Sequence, residues 1–160
     1  MKDLIQWFEK NFSDLVKLMQ ETTHLHSQSN YHPYHQEGDV WTHTGMVCEQ
    51  DEGCGNIDIE MAKLLHDIGK PFTRNEKNGS EKVSFFGHEN LSMWMAIDIL
   101  KKFKEDFPES SIDIVKVLKL IAWHSDFHYH KKDTFFLSDD ILCKTLLIFS
   151  FVYYRGVFII

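Results

Sequence analysis

In the run Leu64-Leu65-His66-Asp67-Ile68-Gly69-Lys70-Pro71, an apolar stretch ends in an imidazole, a carboxylate, a glycine and a lysine. Imidazole nitrogen and carboxylate oxygen are both ligands for a divalent cation. Neighbouring residues at a helix end reach one ion together only if the backbone there is irregular, which Gly69 permits. Taken alone, a His-Asp pair usually marks a helix C-terminus with a hydrogen-bonded histidine. Its surroundings add weight: His43 lies upstream and His88 and His124 downstream, each at or near the end of a predicted helix. Four histidines and an aspartate on four helices can converge on one point of a bundle. Imidazole with carboxylate suits Mn, Fe, Co, Ni or Zn, and a set without thiolate argues against a closed structural zinc site. The chemistry expected is that of an open metal site with room for a reacting molecule.

Helices must carry these residues. Leu4, Ile5, Phe8, Phe12, Leu15, Val16 and Met19 recur at steps of three and four, which predicts one helix of about four turns. Residues 21–39 are polar and aperiodic, a long loop whose His24, His26, His32 and His35 could wall a site. For His24 and His26 a polar surface loop with incidental histidines is the equal alternative. A second helix is expected from Trp41 through His43, Met46 and Val47 until Gly53 and Gly55, and a third after Asn56 or Asp58, presenting Ile59, Ala62, Leu65 and His66. A loop follows Gly69, with an extended piece over Lys82 to Phe86. The next helix, His88 to Lys104, is expected to bury Leu91, Trp94, Met95, Ile97 and Leu100. After Pro108, with Ser110 and Ser111 as caps, Ile114, Val117, Leu118 and Ile121 mark a helix ending near His124, and a last helix follows Ser138 and Asp139. Five or six helices with little strand periodicity predict an all-α bundle, with the metal site at its centre. No internal repeat or low-complexity segment interrupts it.

Composition bounds the function. At 160 residues the chain suits one domain spanning 1–160, and an apolar share of 43% supplies a core. A formal charge of -7 argues against broad, sequence-independent nucleic-acid binding, which needs many cations facing phosphates. A nucleotide or a nucleic-acid end could still bind locally if metal ions supply the charge. Cys48, Cys54 and Cys143 are odd in number and form no CxxC pair, which fits a reducing, cytoplasmic setting. Asp3, Gln6, Glu9 and Lys10 interrupt any signal-peptide core. The stretch Ile141 to Ile160 carries Lys144 and Arg155, so a buried helix is expected there rather than a membrane span.

The order of these residues resembles the HD superfamily of metal-dependent phosphohydrolases, whose signature is a first His, an adjacent His-Asp, two later His in many members and a final Asp. The resemblance runs from Tyr31 to Gly156. Three strings narrow it: His35-Gln36-Glu37-Gly38-Asp39-Val40-Trp41-Thr42-His43-Thr44, then Leu65 to Pro71, then Phe86-Gly87-His88-Glu89. They are similar to the HD domains of bacterial tRNA nucleotidyltransferases and to those fused to RNA-end-healing polynucleotide kinases. The resemblance implies one or two divalent ions (Mn, Mg, Ni, Co, Fe or Zn), the first held by His43, His66 and Asp67. Asp67 would bridge to a second held by His88 and His124. It implies phosphomonoester or phosphodiester hydrolysis on nucleotides or RNA ends, such as a 2′,3′-cyclic phosphate or a 2′-phosphate.

Several neighbours then gain candidate roles. Asp67 and Lys70 are the catalytic candidates, and Lys70, Arg74 and His35 the substrate-binding ones. Lys70 has the charge to hold a phosphate oxygen, a reading favoured over that of a simple helix-end cation, and Arg74 has a fork to grip one but could equally be a helix-end cation. His35, Glu37 and Asp39 could orient the loop, bind substrate or support the metal ligands, while Glu37 and Asp39 could equally cap the helix at Trp41. Glu89 reads best as a first-turn carboxylate. Asp126, His128 and His130 could contact substrate or donate a proton, against the simpler reading of a solvent-exposed loop.

The match departs at its end. Aligning the family's late glycine with Gly156 puts Tyr153 where the final aspartate belongs, and a phenol is a far poorer ligand for Mg or Mn than a carboxylate. Val157-Phe158-Ile159-Ile160 forms an apolar tail that implies an altered end or a missing partner surface. Two alternatives follow: an oxygenase binding two irons in the same ligand set, or a degenerate domain that binds a nucleotide or a partner.

Overall fold

Phe12 divides the first predicted helix in two. The apolar spacing continues through it, but Phe12 takes φ -132° and ψ 39°, outside the helical region, giving α1 (Lys2–Asn11) and α2 (Ser13–Glu21). Its ring packs on Phe8 and Trp7 with centroids 5.3 and 5.7 Å away, contacts that offset the broken helical geometry. This computed structural model describes residues 1–30, 35, 37–50, 55–76 and 82–125. The expected last helix, Tyr153 and the apolar tail lie outside the described residues, as do His32, Asp126, His128, His130, Cys54 and Cys143.

The next two helices form where expected. Asp39 caps α3 (Val40–Glu49) by accepting from Thr42 N at 2.8 Å, and Asn56 caps α4 (Ile57–Leu65) by accepting from Asp58 N and Ile59 N. The stretch after Gly69 holds more structure than the expected loop: a one-turn α5 (Lys70–Thr73), then β1 (Asn75–Glu76) paired antiparallel with β2 (Val83–Ser84), Asn75 opposite Ser84. α6 (His88–Asp106) and α7 (Ile114–Trp123) complete the described chain. Asp113, not Ser110 or Ser111, caps α7 by accepting from Lys116 N at 3.1 Å; Ser110 Oγ instead accepts from Ile112 N in the turn before it.

The architecture is an all-α helical bundle with a short hairpin. α4 is its centre, buried on every side through Ile59, Met61, Ala62, Leu64 and Leu65, and it packs on α3, α6 and α7. Even Lys63 is buried; its Nζ donates to Gln50 O at 2.6 Å, closing the C-terminal end of α3. Asp58 accepts from Asp113 N at 2.8 Å and pairs with Lys116 Nζ at 3.1 Å, which locks the N-terminal ends of α4 and α7 together. Both helices therefore run the same way, and both end beside a candidate ligand, His66 or His124.

α6 buries Leu100 and packs Met95 against the core as expected, but it leaves Trp94 outside. Ser92, Ala96, Ile99, Leu100 and Phe103 are buried, whereas Trp94 is 63% exposed. Ser92 faces the turn after α4, its Oγ against Gly69. No helix among the described residues is long and apolar enough to cross a membrane.

Candidate metal centre

The chain leaves α4 through a tight turn, with Ile68 N bonded to Leu65 O at 3.5 Å and Lys70 N to Asp67 O at 3.0 Å. The irregularity expected at the His-Asp pair thus exists, but in hydrogen bonding rather than in φ: Gly69 has φ -83° and ψ -15°, open to any residue. Glycine is required there by close approach. A Cβ at Gly69 would stand 2.7 Å from His88 O and 2.8 Å from Ser92 N, both backbone atoms of the first turns of α6. Gly69 N donates to Ser92 Oγ at 2.9 Å, so the turn bearing Asp67 is bound to the helix bearing His88.

Four helices deliver the five candidate ligands to one place. His43 lies in the first turn of α3, His66 and His124 follow the last residues of α4 and α7, and His88 begins α6. Three imidazoles are held alike, each Nδ1 donating to the carbonyl three residues back: His66 to Lys63 O at 2.8 Å, His88 to Phe85 O at 2.7 Å, His124 to Ile121 O at 2.6 Å. His43 Nδ1 instead donates to Glu37 Oε1 at 2.6 Å. A proton held on Nδ1 leaves Nε2 of a neutral imidazole as a lone pair.

All four Nε2 atoms face Asp67. On its Oδ2 side stand His66 Nε2 at 3.0 Å and His43 Nε2 at 3.6 Å; on its Oδ1 side stand His88 Nε2 at 3.3 Å and His124 Nε2 at 3.6 Å. Both carboxylate oxygens are buried and, among the described residues, accept no well-directed hydrogen bond, although Lys70 Nζ pairs with Oδ2 at 2.7 Å. His88 Nε2 and His124 Nε2 stand 3.2 Å apart. Lone pairs crowded around a carboxylate repel one another and desolvate it, and a divalent cation on each side relieves both costs. The residues therefore fit metal. Two ligand groups are ready-made, His43 with His66 and Asp67, and Asp67 with His88 and His124.

The electrostatics keep these groups in their metal-binding forms. Burial pushes His43 down to about 3, against the opposing hydrogen bond to Glu37, and burial likewise lowers His66. Both are neutral near pH 7. Burial alone would raise the Asp67 carboxyl, but interaction with the adjoining His66 imidazole and with the Lys70 ammonium outweighs it and holds Asp67 well below the usual carboxylate range.

A second layer lies behind His43. Glu37 Oε1 also accepts from His35 Nδ1 at 2.7 Å, and the His35 ring stacks on His24 with centroids 4.2 Å apart. His24 Nε2 lies 3.0 Å from Lys70 Nζ, and burial, then the Lys70 charge, lowers its pKa well below the ordinary value. Burial raises Glu37, while hydrogen bonds from His35 and His43 outweigh it and keep the carboxylate ionised. The layer is held by pairing across the loop: His24 N donates to Gly38 O at 2.8 Å and Val40 N to Thr22 O at 3.0 Å. Gly38, at φ +97°, makes the turn that carries Glu37 into position, a conformation glycine accepts and side chains resist.

Of the substrate-binding candidates, Lys70 stands at the centre and is buried, with Phe85 5.3 Å beneath it. His35 is buried beside His43 and bonded to Glu37. Arg74 braces the loop. Its Nε donates to Thr23 O at 2.8 Å, its Nη2 donates to Leu25 O at 3.0 Å, and Nη2 also pairs with Glu76, which accepts from Ser27 as well. The phosphate grip expected of Arg74 would compete with these bonds. Glu89, 3.3 Å from His88 Nδ1, keeps its expected place in the first turn of α6. Sequence reasoning passed over Ser92, which no motif marks, and left His24 undecided; its one signal was the density of histidines in the loop.

A scan against family models finds the HD domain over residues 39–148, more than half of the chain. No curated protein and no solved structure matches it. With the matched span reaching from the α3 cap past His124, and an adjacent His-Asp pair at the centre of a ring of imidazoles, the chain belongs to the HD domain family, within the superfamily of metal-dependent phosphohydrolases.

Proposed function

We propose that this chain hydrolyses a phosphate ester of a nucleotide or RNA end, with His43, His66 and Asp67 holding one divalent ion and Asp67, His88 and His124 a second. The observation that carries the reading is the placement of four imidazole Nε2 atoms around both oxygens of one buried carboxylate. When bound, divalent metal lowers the pKa of water toward neutrality and offsets charge on the phosphate oxygens. The protein does the rest. Backbone carbonyls and Glu37 fix the imidazoles, Asp67 joins the two ligand groups, and Lys70 offers an ammonium to a phosphate oxygen beside Asp67. In the overall step, water oxygen bonds to phosphorus, the ester P–O bond breaks, and a proton passes to the leaving oxygen.

The chain's formal charge of -7 supports a need for metal, since an anionic substrate meets a repulsive surface without it. The nucleotide or RNA end, the cytoplasmic setting and the five ligands by name are parts of this proposal. Its test is a screen of 2′,3′-cyclic nucleotides, nucleoside 2′-phosphates and nucleoside monophosphates. The protein is stripped with chelator and then supplied with Mn²⁺, Mg²⁺ or Ni²⁺ under argon. Hydrolysis of one class that vanishes on stripping and falls at least ~100-fold in Asp67→Asn supports it. Equal rates in wild type and Asp67→Asn would falsify it, and turnover only in a parallel arm given Fe²⁺ and air would replace it with an oxygenase reading.

A further inference from the structure

Glu37 is the one carboxylate that holds a candidate metal ligand by its far nitrogen at hydrogen-bond length among the described residues, and the reason lies in helix geometry. His66 and His124 follow helix C-termini, where the last carbonyls lack intrahelical partners and accept from Nδ1. His88 uses the carbonyl of the turn that precedes its helix. His43 sits in the first turn of α3, the end at which N–H groups rather than carbonyls lack partners. The carbonyl three residues back, Val40 O, already accepts from Thr44 Oγ1 at 2.9 Å. An acceptor must therefore come from outside α3.

We propose that Glu37 is a positioning residue. One of its oxygens, Oε1, fixes His35 and His43 together as Nδ1–H tautomers and so aims His43 Nε2 toward Asp67, where a metal would be held. A carboxylate acceptor strengthens the imidazole as a ligand more than a carbonyl does, which tightens the His43, His66 and Asp67 group relative to the Asp67, His88 and His124 group. The same oxygen ties Glu37 into the group it forms with His24 and His35, whose ligand atoms lie close to one another. Both Nδ1 protons already point at Oε1, and the Lys70 ammonium already stands at His24 Nε2.

The metal half of this inference rests on the proposed function; the tautomer half does not. The experiment therefore reads both, in wild type, Glu37→Ala, Glu37→Gln and Glu89→Ala. Long-range ¹H–¹⁵N spectra of metal-free protein give the His43 tautomer, free Mn²⁺ counted by electron paramagnetic resonance gives affinity, and melting of the metal-free protein reports structural loss. Expected are an Nδ1–H His43 in wild type, its loss in Glu37→Ala, and an affinity ~10–100-fold weaker at one of two Mn²⁺ sites. Glu37→Gln, whose amide oxygen can still accept, should lose less and carries the test if the alanine variant fails to fold. Glu89→Ala should bind Mn²⁺ as wild type does, because His88 Nδ1 is already bonded to Phe85 O. Unchanged Mn²⁺ affinity in both Glu37 variants, or an equal loss in Glu89→Ala, overturns the proposal. If wild type binds no Mn²⁺, the metal reading has failed, and the tautomer alone decides for or against Glu37 as the holder of His43.

Discussion

A buried ammonium 2.7 Å from a buried carboxylate would ordinarily be an ion pair and nothing more, and at Lys70 and Asp67 the surroundings say otherwise. Asp67 also faces four imidazoles, so under the proposed function a divalent cation would compete for the same oxygens and leave Lys70 to a phosphate. Lys70→Met keeps the length and removes the charge. It should raise KM for the phosphate ester by ~10-fold or more, the scale of one hydrogen bond to a charged group, while Mn²⁺ content stays at the wild-type level. An unchanged kcat/KM would assign Lys70 solely to neutralising Asp67. At this scale the candidate ligands were legible as residue types in order, because the His-Asp pair and its flanking histidines are chemical signals. The roles of Arg74 and Ser92 were not, since an arginine that braces a loop and one that grips a phosphate look alike until its acceptors are seen.

At the scale of elements, the site depends on how closely the turn after α4 approaches α6. Gly69→Ala places a methyl group within 3 Å of two backbone atoms of α6, His88 O and Ser92 N, which cannot yield as the end of a flexible side chain would. The expected cost is about 2 kcal/mol of stability by urea unfolding, with weaker Mn²⁺ binding because Asp67 and His88 are pushed apart. Stability equal to wild type would show that the contact is looser than described. Helical periodicity predicted α3, α4, α6 and α7 closely, since each begins at a cap or a glycine and buries apolar residues at helical spacing. Two features escaped it. Phe12 keeps the helical spacing while breaking the helix, and Ser92 of α6 turns inward to bond Gly69 while Trp94 turns out, an order that hydrophobicity alone reverses. Capping by Asp113 in place of the two serines was equally invisible, because all three residues are of types that cap helices.

Across the described residues, α4 is the shaft on which α3, α6 and α7 assemble, and its burial joins the core to the candidate centre. Cys48, on α3 against that core, reports its integrity. Burial raises its thiol from 9.0 to about 12, so the folded state keeps a proton that the unfolded state loses. The stabilisation is complete below pH 9 and is lost as pH rises from 9 toward 12. Alkylation at pH 8.5, mapped to Cys48 by mass spectrometry, should be slow in the native protein and fast in urea; rapid native labelling would contradict the packing of α3. The all-α architecture could be read from periodicity, while the convergence of four helix ends on Asp67 required the fold, because no sequence pattern states which ends meet. The central claim is that this convergence is a metal site, and the most direct measurement is anomalous diffraction from a crystal grown with Mn²⁺. The account predicts peaks in bonding contact with His43 and His66 on one side of Asp67 and with His88 and His124 on the other. An intact ring of imidazoles with no peak beside Asp67, and Mn²⁺ bound elsewhere or not at all, would contradict it.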